Sequence, residues 1–134
     1  MDLDRDHVVQ VTRKGGTNPR ELAGSNRLFY IKRLEGGLEL WSTGIDGGDE
    51  IRVLGPVQSA AGWVPARDGI YFIEPALRIS FFRFADAAAE QIATMPQNSG
   101  IAGAGLALSP DGRWLLYGQK DRTSADIMLV ENFR

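Results

Sequence analysis

The stretch Ser109-Pro110-Asp111-Gly112-Arg113-Trp114-Leu115-Leu116-Tyr117 constrains this chain more than any other. Pro110 presets φ for the second position of a turn. Asp111 can hydrogen-bond its own nearby backbone, and Gly112 can take φ > 0 where the chain swings into the next strand. Four bulky residues follow, Trp114 to Tyr117. They are too few for a helix and are bounded by turn signals, so they predict a buried β-strand. Degraded copies stand upstream. One is Ala66-Arg67-Asp68-Gly69 before Ile70-Tyr71-Phe72; the other is Ala23-Gly24-Ser25-Asn26 before Arg27-Leu28-Phe29-Tyr30.

The surrounding segments repeat in the same order. A strand is predicted at Asn26 to Arg33, then the turn Glu35-Gly36-Gly37, a strand at Leu38 to Thr43, the hairpin signal Asp46-Gly47-Gly48 and the alternating run Ile51 to Leu54. The second set has strands at Ala60 to Val64, Ile70 to Ile73, Ile79 to Phe84 and Glu90 to Thr94. Ala87-Ala88-Ala89-Glu90 is too short to nucleate a helix. The third set has strands at about 104–108, 113–118 and 126–131. Tyr30, Phe72 and Tyr117 recur at spacings of 42 and 45 residues. A period of this length with four short strands predicts β-propeller blades, stacked face to face so that inner strands are apolar on both sides. A generic antiparallel sandwich is the plainer alternative. The expected division is blade 1 over 19–55, blade 2 over 59–95 and blade 3 over 104–133.

Composition excludes several classes. With 15 basic and 17 acidic residues scattered through 134, no basic patch asks for nucleic acid and no acidic tail is present. The absence of cysteine removes disulfides, thiolate zinc sites and cysteine nucleophiles. The polar start, Met1 to His7, does not read as a signal peptide, and no apolar run is long enough to cross a membrane. As it stands the chain reads as cytoplasmic, although related propellers are often extracytoplasmic.

The third repeat, S-P-D-G-R followed by Trp114 to Tyr117 and then Asp126-Ile127-Met128-Leu129-Val130, resembles the WD40-like (PD40) repeat of TolB-type β-propellers. The second repeat has lost the Ser and Pro, and the first has lost the Asp. The resemblance covers about residues 8 to 134. The closing segment, Asp126 to Arg134, is similar to the end of larger bacterial sensor propellers attached to winged-helix regulators or Ser/Thr kinases. The resemblance implies a non-catalytic sensor or interaction module. Propellers of this type also precede the hydrolase domain of prolyl-oligopeptidase-like enzymes, so a gating accessory domain is the alternative, as is a fragment of a larger sensor propeller.

Strand counting suggests how such a chain is completed. The first two sets have four strands and the third has three, while the β-branched run Val8-Val9-Gln10-Val11-Thr12 stands alone at the N-terminus. Three blades do not close a ring. The expectation is self-assembly: residues 8–12 supply the outer strand of the last blade of another copy, and a homodimer makes six blades, with a homotrimer of nine as the alternative. The expected self-association residues are Val8, Val9, Val11, Ile127 and Leu129. A further protein or small ligand is expected on the ring face.

No catalytic, cofactor or metal residue is expected. His7 is the only histidine, no G-x-S-x-G elbow exists, and Ser109 is explained by its turn, in which Pro110, Asp111 and Gly112 are structural. Asp2, Asp4 and Asp6 lack the glycine and distal glutamate of a calcium loop. Asp46 to Glu50 reads as a hairpin turn rather than a cation site. Arg13-Lys14-Gly15-Gly16 lacks the following helix of a phosphate cradle. Trp41, Trp63 and Trp114 read as blade core rather than a ligand surface.

Overall fold

The computed structural model describes residues 8–96, 105–120 and 125–132. The candidates His7, Asp2, Asp4 and Asp6 and the expected loops within 97–104 and 121–124 lie outside the described residues. Among the described residues the chain is all β. The first sheet contains β1 (Thr17–Leu22), β2 (Arg27–Leu34), β3 (Gly37–Gly44) and β4 (Ile51–Val57). The second contains β5 (Trp63–Ala66), β6 (Gly69–Glu74), β7 (Arg78–Arg83) and β8 (Ala89–Thr94). The third contains β9 (Leu106–Leu108), β10 (Leu115–Lys120) and β11 (Ala125–Val130). Each sheet is an antiparallel meander with its strands paired in chain order. These are two four-stranded blades and one three-stranded blade of a partial propeller, in agreement with the expected fold class.

Alternation along the second strand of each blade builds the stack. In β6, Ile70 and Phe72 point to blade 1 and join Phe29, Ile31, Leu40, Leu54, Val57 and Trp63 in one core. Tyr71 and Ile73 point the other way and pack with Ile79, Met95, Leu106, Leu115 and Tyr117 in a second core. Successive strand residues alternate faces, so blade 2 is apolar on both. Burying each such large side chain contributes roughly 1.5–3 kcal/mol. The Arg20 guanidinium adds a tie between inner strands. It lies 4.9 Å from the centre of the Trp63 ring, and Nη1 donates to the Trp63 carbonyl. Trp63 is fully buried and donates through Nε1 to the Ala60 carbonyl at 3.0 Å.

The repeat turns use different chemistry for one task. At the third, the Gly112 N–H donates to the Ser109 carbonyl at 2.8 Å and Gly112 has φ 70°. Asp111 Oδ1 accepts from Ser109 Oγ at 2.5 Å and from the Arg113 N–H at 3.1 Å, and these bonds hold its carboxyl below the usual range. The Trp114 N–H donates to Ser109 Oγ at 3.0 Å, so this hydroxyl is enclosed by its own turn. In the first repeat Ser25 does the work of the missing aspartate. Its Oγ donates to the Leu22 carbonyl at 2.7 Å and accepts from the Arg27 N–H at 3.2 Å, with Asn26 at φ 53°. At the second, a Cβ on Gly69 would collide with the Phe82 carbonyl and the Phe81 ring, which requires glycine there.

Residues 8–12, expected to pair with another copy, stand apart, and three boundaries depart from expectation. Residues 8–12 form no strand within the single chain. Their β-branched composition favours a strand only where a neighbouring edge is free to pair, and blade 1 is already complete at four. β1 begins at Thr17, two residues before the expected start of blade 1, and a bulge between Thr17 and Arg20 accommodates Pro19. β5 starts three residues later than expected and ends two later, since Pro65 and Ala66 pair with Ile70 and Gly69. Trp114 precedes β10, held in the turn by Ser109.

Candidate functional site

Among the described residues the arc ends in two blade faces with no neighbouring blade. On blade 3 the register pairs Leu116 with Leu129 and with Ala107, and Gly118 with Ile127. These four positions and Ala107 share the face turned away from blade 2. Ile127 is 77% exposed and Leu129 50%. The matching residues elsewhere are Leu40, opposite Ile31 in blade 1, and Ile79, opposite Ile73 in blade 2; both are 0% exposed. The comparison isolates the cause. Identical places in the repeat are buried wherever a following blade covers them and bare where none does. β11 also has a free ladder edge, since no strand pairs beyond it among the described residues. Val8, at 75% exposure, and Val9, at 52%, are likewise bare, and the structure does not bring them to Ile127 and Leu129 within one chain.

The free face of blade 1 is built differently. Tyr30, Lys32, Trp41 and Arg52 lie on it, Tyr30 pairing with Trp41 and Trp41 with Arg52. Tyr30 and Lys32 are buried despite the missing neighbour. Glu50, just before β4, explains the burial of both polar ends. Its Oε1 accepts from the Tyr30 hydroxyl at 2.6 Å and lies 2.9 Å from Lys32 Nζ. Lys32 Nζ also sits 4.0 Å from the centre of the Trp41 ring, a cation–π contact. Trp41 Nε1 donates to Glu39 Oε2 at 3.1 Å, and Glu39 pairs with Arg52 at 3.1 Å. The Tyr30 hydroxyl and Lys32 ammonium hold the Glu50 carboxyl at about 2, aided by the Arg13 backbone N–H. Burial, followed by the Glu50 carboxylate, raises the Tyr30 hydroxyl above its ordinary value.

The segment before β1 covers this face. Gly16 packs on Tyr30 so closely that a Cβ would stand 2.7 Å from ring carbon Cδ2. The Arg13 N–H reaches Glu50, and the Val11 backbone lies beside Gly47 in the β3–β4 turn. Of Arg13 to Gly16, weighed in sequence as a phosphate cradle, Gly16 packs on Tyr30 while Arg13, Lys14 and Gly15 are exposed. Glu50, weighed as part of a cation turn, is engaged with Lys32. Among the described residues no group of three His, Asp or Glu side chains is placed to hold a metal.

Sequence reasoning missed the Tyr30–Lys32–Trp41–Glu50 cluster. The available signal was Lys32 itself, a cation that directly follows four bulky residues in a buried strand and so needs a partner. The three tryptophans also divide. Trp63 is core, Trp41 underlies Lys32, and Trp114 is half-buried beside its turn.

A cleft of about 570 Å³ opens on one ring face where the repeat turns converge, lined by Ala23, Gly24, Arg67, Ser109 and Pro110 among others. Among the described residues no helix is long and apolar enough to cross a membrane.

No family model matches the chain, and no curated protein matches it. Among solved structures, it is similar to a protein assigned as TolB from Agrobacterium tumefaciens, with 16% identity and a TM-score of 0.54. The match covers 81% of this chain and 42% of that one. The likeness is one of fold. The chain has a TolB-like β-propeller architecture and spans less than half the length of that structure.

Proposed function

We propose that this chain is a non-catalytic β-propeller interaction module, a scaffold whose ring is completed by a second copy. The observation that carries the reading is the 77% exposure of Ile127 against 0% at Ile79 and Leu40. An apolar blade face of this kind marks an interface. Two further observations support a second copy as the occupant. Among the described residues blade 3 has three strands and blade 1 is preceded by an unpaired β-branched segment. With Tyr30 and Phe72 as equivalent points, Val9 and Val11 correspond to Ile51 and Val53, which lie in the fourth strand of the blade before Phe72. Residues 8–12 thus hold the place of a fourth strand belonging to a preceding blade. Three strands from one copy and one from another make a whole blade, and exchange in both directions closes six blades about a twofold axis. Three copies would close nine.

Fold alone does not specify a ligand. The cleft at the repeat turns is the proposed place for a protein or small ligand on the ring face. A hydrolase role finds no support at Ser109, whose hydroxyl is occupied by Asp111 and two backbone N–H groups.

Solution mass tests the proposal. A dimer is expected, and a stable monomer at high micromolar concentration overturns the self-assembly reading. The 42% coverage of the TolB-assigned structure favours a second reading, in which this chain is a segment of a larger sensor propeller or of a hydrolase's gating domain and further blades cover Ile127. A monomer whose Ile127 face binds added blades would select it. Ester or peptide hydrolysis abolished by Ser109→Ala would overturn the non-catalytic reading.

A further inference from the structure

The geometry points to a clamp, formed by Tyr30, Lys32 and Glu50 with Gly16, that holds residues 10–16 on blade 1 and so presents residues 8–12 as a ready-made edge for the second copy. This rests on the self-assembly reading above and deepens it. The docking surface belongs to the folded protomer and is not created by the encounter.

Three contacts make the clamp. The Arg13 backbone N–H helps lower the Glu50 carboxyl, which sets the segment beside the start of β4. The Tyr30 ring receives Gly16, which has no Cβ to block the approach. The Val11 backbone rests against Gly47, whose own conformation, φ 89°, is readily available to glycine. The charged part of the clamp is closed on itself. Lys32 is satisfied by Glu50 and Trp41, and the Tyr30 hydroxyl by Glu50. Beyond the last clamped residue, Val8 and Val9 are exposed.

The arrangement has a physical consequence. A disordered strand donor is ordered at the moment of association, which weakens binding, whereas a segment already held in place is not. The clamp removes part of that cost in advance. The partner it fits is another copy's three-stranded blade, with a free ladder edge at β11 and the apolar residues Ile127 and Leu129 beside it. Residues 8–11 supply the matching apolar alternation of Val9 and Val11.

The experiment compares the full chain with Glu50→Gln and Gly16→Leu. The first weakens the acceptor; the second drives the segment off Tyr30 and leaves the ion pair intact. Sedimentation equilibrium reads self-association, and trypsin cleavage after Arg13 and Lys14 reads release of the segment. Circular dichroism melting checks that each variant folds. At least tenfold weaker dimerisation together with at least tenfold faster cleavage in both variants is the expected result. Unchanged dimerisation of Gly16→Leu in the face of faster cleavage overturns the clamp and leaves the self-assembly reading standing. A wild-type chain that does not dimerise at all overturns both.

Discussion

The free face of blade 1 carries Tyr30, Lys32, Trp41 and Arg52 beneath a covering segment, whereas the free face of blade 3 carries Ala107, Leu116, Ile127 and Leu129 with none of the described residues over Ile127 and Leu129. Both faces belong to the same repeat and both lack a neighbouring blade. Blade 1 satisfies its polar groups internally and buries its tyrosine under residues 10–16. On blade 3 the exposed Ile127 and Leu129 are apolar and, among the described residues, uncovered. Polar groups on a blade face can be completed by one buried ion pair, but apolar area can be completed only by more surface. Among the described residues the arc therefore has one covered end and one bare end.

The sharpest way to break this comparison is to truncate equivalent residues. Ile79→Ala should destabilise the chain by about 2–5 kcal/mol, because it opens a cavity in the blade 2–blade 3 core. Ile127→Ala should leave the melting temperature of the isolated protomer nearly unchanged. Thermal denaturation at a concentration below dimerisation compares the two, and equal losses would mean that Ile127 is already covered.

The next effect concerns assembly. Ile127→Asp with Leu129→Asp should lower self-association by a hundredfold or more, read as solution mass, while far-ultraviolet circular dichroism is preserved. A charge at either site would otherwise be buried without a partner. Deleting residues 1–12 should act in the same direction by removing the donated strand. If the deletion leaves the dimer intact, the two bare surfaces meet without exchange.

A smaller effect separates the polar end from the apolar one by pH. Glu50 faces Tyr30, Lys32 and the Arg13 N–H, and its carboxyl is held at about 2 against an ordinary 4.5. Its depressed value makes the unfolded chain take up the proton first as pH falls. The stabilisation is therefore whole above about pH 5 and is lost progressively towards pH 2. The Arg13 amide resonance should move over that range in parallel with Glu50 titration. The blade 3 face, with no ionisable residue among Ala107, Leu116, Ile127 and Leu129, should show no matching change. A flat Arg13 profile would remove Glu50 as the anchor.

The smallest effect lies in the repeat turn. Gly112, at φ 70°, should cost about 1 kcal/mol on replacement by alanine, since an added Cβ disfavours the left-handed conformation. Chemical denaturation measures it, and a neutral result would place the turn in another conformation.

The repeat was legible because turn chemistry and strand burial are local. Asp111 and Gly112 bond and bend within four residues of each other, and strand alternation needs only adjacent side chains. The equivalence of Tyr30, Phe72 and Tyr117 could be read the same way. In the structure all three point to the preceding-blade side, Phe72 into the first core and Tyr117 into the second. The deficit of one strand in blade 3 was also countable.

The fate of residues 8–12 was not legible, because a β-branched run expresses a preference without naming its neighbour. Nor was the pairing of Lys32 with Glu50, residues on different segments that become partners only when the β3–β4 turn folds back beside β2. By itself the chain determined its period, its turns and the number of strands in each blade, all consequences of short-range sterics and hydrogen bonding. Only the tertiary structure decided which blade face is covered and which is bare, because burial is a property of what stacks above a residue rather than of the residue itself.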